Sequence, residues 1–274
     1  MGRNKRAQVT IFIIAGIALI AIILLLLLLK GGKNPDTGGS GEGNSNSFLQ
    51  TCLEDSITEA VGVIGENGGY ITPEFPLNIK LVGESVPRNI SYLCYTSLYN
   101  APCTIQEPML FKHIEKEVKE YIKHDVDNCF SGTSGLTASL SDKGHVVAVR
   151  YKPGDFDLSI KRNQISVKIN GELTLTKGDQ TKKEKDFKVS VNSGLYDMLM
   201  YPIQEILNRK SSSLTCFFDD SAHGLLYSEF IVYPTILGNG TEIYGVEHKK
   251  SREKFIFAVR SCVERGGYGA GNGN

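Results

Sequence analysis

The first thirty residues contain no aspartate or glutamate. Inside them, residues 9–29 (VTIFIIAGIALIAIILLLLLL) carry no charge of either sign, and Thr10 is the one polar side chain. The chain also has no CxxC pair, which removes support for a dithiol redox motif or a zinc ribbon. It has no GxSxG, HExxH, P-loop lysine or GxGxxG motif. The sequence therefore gives no support to the enzyme classes those motifs mark, and it names no cofactor. Net charge is absent too, at 30 basic and 30 acidic residues, but the balance is uneven. Without Arg3, Lys5, Arg6 and Lys30, residues 31–274 hold 26 basic and 30 acidic residues, a net of −4. Such a region has no basic surplus with which to bind nucleic acid.

What is present starts with that uncharged run. As a helix, its 21 residues span about 31 Å, close to one bilayer hydrocarbon core. A helix apolar on every side suits lipid rather than water. Arg3, Lys5 and Arg6 precede it, so the expected topology keeps residues 1–8 in the cytoplasm and places the bulk of the chain outside. A cleaved secretory signal would have a shorter apolar core and a small-residue cleavage site, whereas Lys30-Gly31-Gly32-Lys33 follows here. The expectation is a single-pass cell-membrane protein with the bilayer as its first partner.

Lys5-Arg6-Ala7-Gln8-Val9-Thr10, leading into the apolar helix, resembles the class III signal peptides of archaeal type IV pilin-like and archaellin-like proteins. The resemblance covers about 25 residues. It implies processing between Ala7 and Gln8, with the helix kept on the mature protein. Phe12 stands where that family places a glutamate at the fifth mature position. The wider layout also looks like membrane-anchored archaeal surface proteins: an anchor, a Cys-Leu-containing helix, then Gly68-Gly69-Tyr70-Ile71.

Residues 31–47 (GGKNPDTGGSGEGNSNS) have linker composition, so 30–47 is expected to be a flexible tether. It separates the anchor from the domain, unlike a filament subunit whose helix runs on. The domain is expected over 48–265, with a disordered glycine-rich tail at 266–274 and a possible division into two lobes near 132.

Ser47-Phe48-Leu49-Gln50 fits a capping box, and an apolar stripe through Leu53, Ile57, Ala60, Val61 and Ile64 predicts the helix it opens. Four-residue steps from Leu110 to Cys129 predict a helix over about 108–130. Its solvated face carries Lys112, Glu115, Lys116, Lys119, Glu120 and Lys123. Short strands are expected at 78–82 and 90–95. Residues 135–191 read as an antiparallel meander, with alternation on either side of Asn170-Gly171. A third helix is expected at 195–209, kinked at Pro202. Strands follow at 229–235, 241–247 and 254–261. The fold class is α+β: an N-terminal transmembrane helix, then helices packed on antiparallel sheet.

Six cysteines lie beyond the anchor, where thiols tend to pair. Six allow fifteen connectivities, so the pattern is open from sequence. Cys94 with Cys103 is the local candidate, Cys52 with Cys129 would join two helices, and Cys216 with Cys262 would close the C-terminal region.

The best polar constellation for a metal is Asp219, Asp220 and His223. Asp155 and Asp157 flank a strand start, and Gly132-Thr133-Ser134-Gly135 reads as a flexible small-residue connector. His113 and His124 belong to a charged helix, while His145 and His248 fall at turns. Asn89 and Asn239 begin sequons at expected turns, which makes them glycosylation candidates. The expected role is a non-catalytic surface protein, for binding, adhesion or envelope structure, with an extracellular or envelope ligand. The alternatives are a membrane-tethered metal-dependent hydrolase and a pilin-like filament subunit.

Overall fold

A computed structural model describes residues 45–80, 86–212, 216 and 228–264. The expected anchor, linker residues up to 44, Ala7, Gln8 and the 266–274 tail lie outside these. No helix among the described residues is long and apolar enough to cross a membrane.

Helix α1 runs Ser45–Glu66. Leu49, Leu53, Ile57, Ala60 and Ile64 on its stripe are fully buried, each large side chain contributing about 1.5–3 kcal/mol of transfer free energy. The helix starts two residues before the predicted cap, so Ser45, Asn46 and Ser47 belong to it and not to the linker. Gln50 does not close a capping box. Its amide reaches a strand instead, donating to Ser190 O and accepting from Ser190 N, both at 3.0 Å.

Strands β1 (Pro76–Ile79), β2 (Arg88–Tyr95) and β3 (Thr104–Ile105) follow. Then come helices α2 (Leu110–Ser131) and α3 (Leu136–Asp142). Helix α3 replaces part of the expected β region. The Gly132–Gly135 segment before it is a close-packed turn and not a loose connector: a Cβ on Gly132 or Gly135 would stand 2.5 or 2.4 Å from Asn128 O.

Strands β4 (Val146–Arg150), β5 (Phe156–Lys161), β6 (Gln164–Lys177) and β7 (Gln180–Asn192) form an antiparallel sheet. Asn170-Gly171 does not separate two strands. β6 passes through it with a register shift between Ile169 and Glu172, a bulge. β5 pairs with β6 before the bulge and β4 pairs after it, while β7 runs along both halves.

The third helical region divides into α4 (Leu195–Met198), a π-turn (Leu199–Ile203) and α5 (Gln204–Lys210). Pro202 sits in the π-turn, which absorbs its missing N–H and ring bulk. Strands β8 (Phe230–Ile236), β9 (Glu242–His248) and β10 (Lys254–Arg260) complete the second sheet, ordered β1-β2-β10-β9-β8 with β3 also on β2. That sheet is mixed and not antiparallel throughout: β2 and β10 run parallel, Cys94 opposite Val259. The chain between them is long enough to hold the whole other sheet, so a parallel return costs nothing in connectivity.

The α+β class holds. One apolar cluster runs from Leu49 to Val259 through both sheets and across residue 132. Helix α1 packs on α2, on β7 of one sheet and on β10 of the other. Cys52–Cys129, Cys94–Cys103 and Cys216–Cys262 stand at disulfide separations, with Cα–Cα distances of 5.9, 5.4 and 5.0 Å.

Candidate functional site

Helix α1 ends in a tight reversal. Gly69 N donates to Ile64 O at 2.8 Å, with Gly68 and Gly69 at φ of +72° and +100°, a glycine-dependent helix stop. The reversal delivers Tyr70 onto the first turns of α2. Tyr70 lies against His113, ring centroids 4.3 Å apart, and its hydroxyl donates to Glu107 Oε1 at 2.9 Å. His113 Nε2 is bound to Gly69 O at 3.0 Å. Glu117, one turn along α2, accepts from Ile71 N at 2.7 Å.

These residues form one wall of an open cleft of about 960 Å³. Tyr92 and Tyr95 of β2 line it as well, their rings edge to face at 5.1 Å. Phe75, 86 % exposed, stands at the rim with Glu74. The lining thus offers four carbocyclic rings, one imidazole and three carboxylates, against a single lysine, Lys116. Ser91 is also in the wall, 5 % exposed, with no hydrogen-bond partner for its hydroxyl among the described residues.

Electrostatics follow from that lining. Burial raises the Tyr70 phenol first, and the hydrogen bond to Glu107 and the charges of Glu107, Glu117 and Glu74 raise it further, well above its ordinary range. The phenol therefore stays neutral, and the cleft has a negative potential.

Sequence reading did not assemble this cleft. Its groups come from a turn, a strand, a loop and a helix between Tyr70 and Glu117, and the Gly68-Gly69-Tyr70-Ile71 turn was the one local signal. The solvated face assigned to α2 also proves only partly solvated. Glu115 of that face accepts from Ile160 N on β5 at 3.0 Å, and Glu117, which the expected face did not include, accepts from Ile71 N.

The other candidates fall elsewhere. Asp219, Asp220 and His223 lie outside the described residues, and no metal-holding group of His, Cys, Asp or Glu occurs among the described ones. Asp155 and Asp157 both accept from Asn170 Nδ2, at 3.1 and 3.2 Å, which spends them on closing the β6 bulge. His248 is not in a turn: it ends β9, buried, with Nδ1 2.7 Å from Ser251 Oγ. Ser251 Oγ in turn donates to Glu253 at 2.6 Å. The acid meets the serine rather than the second imidazole nitrogen, so this is not a charge-relay order. Glu253 also accepts from Gly194 N, tying the start of α4 to the β9–β10 turn.

Asn89 lies on β2 rather than in a turn, exposed, accepting from Asn78 Nδ2 at 2.8 Å. Asn239 is in the turn before β9 and accepts from Thr241 N at 3.0 Å. No protein-family model, curated protein sequence or solved structure matches the chain.

Proposed function

We propose that this is a single-pass membrane-anchored surface protein whose extracytoplasmic domain binds a ligand in the cleft between α2 and β2. Residues 9–29 sit in the bilayer, the basic N-terminal residues stay on the cytoplasmic side, and residues 45–264 face outward on the glycine-rich tether. The ligand is extracellular or belongs to the envelope. The charge distribution around the apolar run supports the topology, and three disulfide pairs suit an oxidising exterior.

The observation that carries the binding role is the cleft itself: concave, aromatic, acidic and bordered by an exposed phenylalanine. Concavity with convergent polar groups is what a ligand site needs. The groups there are hydrogen-bonded into a frame rather than arranged as nucleophile and base, which favours binding over catalysis.

The test is fractionation of cells expressing the full chain, followed by protease treatment of intact cells. The expected result is a membrane-fraction protein whose domain is cut from outside. A domain protected until the cells are lysed would overturn the topology.

A further inference from the structure

We propose that the cleft recognises an organic cation: an alkylammonium group, as carried by a lysine side chain in an extended peptide or by a free polyamine. This rests on the reading of the cleft as a ligand site and names the chemistry it takes.

Two observations converge. First, the wall presents Tyr70, Tyr92, Tyr95 and Phe75 together with Glu74, Glu107 and Glu117. An ammonium gains charge attraction from ring faces and carboxylates alike, whereas a neutral ligand gains only ring contact and the weaker hydrogen bonds that uncharged donors make to carboxylates. Second, the carboxylates are held but not consumed. Glu107 Oε1 meets Tyr70 Oη and Glu117 Oε2 meets Ile71 N, while the second oxygen of each, and all of Glu74, have no partner among the described residues.

The domain already uses this pairing nearby. The Arg260 guanidinium stands 6.0 Å from the Tyr95 ring centroid and 5.6 Å from that of Tyr99. Inside the cleft, Lys116, exposed on α2, is the lysine that opposes a cationic ligand, and His113 Nδ1 lies 3.9 Å from Glu107 Oε1.

The test is titration of the full chain in detergent micelles, followed by calorimetry, with three probes. These are spermidine, an N-acetylated tetralysine amide, and the same peptide with every side-chain amine acetylated. The first two are expected to bind and the third to lose about tenfold or more. Tighter binding of tetralysine identifies a peptide ligand, and equal or tighter binding of spermidine a free amine.

Glu107→Gln with Glu117→Gln, which keeps size and an accepting oxygen, is expected to weaken binding about tenfold. Phe75→Ala, at an exposed rim position, should weaken it a few-fold. Lys116→Ala should strengthen it a few-fold, a gain that misfolding cannot produce. Equal binding of the fully acetylated peptide, no binding of either amine, or indifference to the Lys116 and Glu changes would overturn the proposal. Failure of the surface-protein reading would appear separately, in protease accessibility, which these titrations do not touch.

Discussion

Phe130 and Gly171 show how single residues set this domain. The Phe130 side chain is buried against Phe187, ring centroids 5.0 Å apart, and lies over the β6 bulge. A Cβ on Gly171 would stand 2.6 Å from Phe130 Cζ. Gly171→Val is therefore expected to cost about 1–3 kcal/mol through overpacking, read as a lower urea midpoint with unchanged slope. From the sequence, Asn-Gly signalled a hairpin turn. Its actual use depends on a phenylalanine forty-one positions earlier, which no local window includes.

Glu184 on β7 makes a pH prediction at the same scale. Burial pushes its carboxyl upward, but Lys182 Nζ at 2.8 Å and the Ser45 hydroxyl at 2.5 Å outweigh that, and it titrates below its ordinary value of 4.5. A carboxyl lowered on folding adds stability that is fully present above the unfolded value and is lost as pH falls through the folded one. Urea unfolding of the wild type and Glu184→Gln should thus differ at pH 7, and the difference should close below about pH 4.5.

Among the elements, α1 acts as more than an amphipathic helix. Asn46 accepts from Lys188 N at 3.1 Å, and the Gln50 amide pairs both ways with Ser190. Side-chain amides thus take the place of a neighbouring strand along β7, and Glu115 of α2 does the same for Ile160 of β5. An uncovered edge invites pairing with other chains. Gln50→Leu leaves Ser190 N and O unpaired and should cost about 1–3 kcal/mol. The specific sign is faster hydrogen exchange at the Ser190 amide than at Val189.

Apolar periodicity located α1, α2 and most strands within a few residues. It was blind to the polar face, where Gln50 and Glu115 look like ordinary solvated residues or caps. It also missed α3, whose seven residues bury only Leu136 and Leu140, too few turns to show a period. The cleft was illegible for a related reason. Its aromatic and acidic groups are individually unremarkable and come together through the β2–β3 pairing and the Gly68-Gly69 reversal.

For the molecule as a whole, the Cys52–Cys129 bond has a mechanical consequence. The bond spans a sequence separation of 77, and every residue lining the cleft, from Tyr70 to Glu117, falls between its ends. When the domain unfolds under tension applied at its two ends, the covalent path crosses from residue 52 to residue 129 through sulfur, and the enclosed segment is not drawn out. Single-molecule stretching should show this as missing length. The oxidised domain should extend roughly 270 Å less than one with Cys52 and Cys129 both changed to alanine, at about 3.6 Å per residue. On the topology proposed above, the covalent path from the anchor would then bypass the segment that builds the proposed cleft.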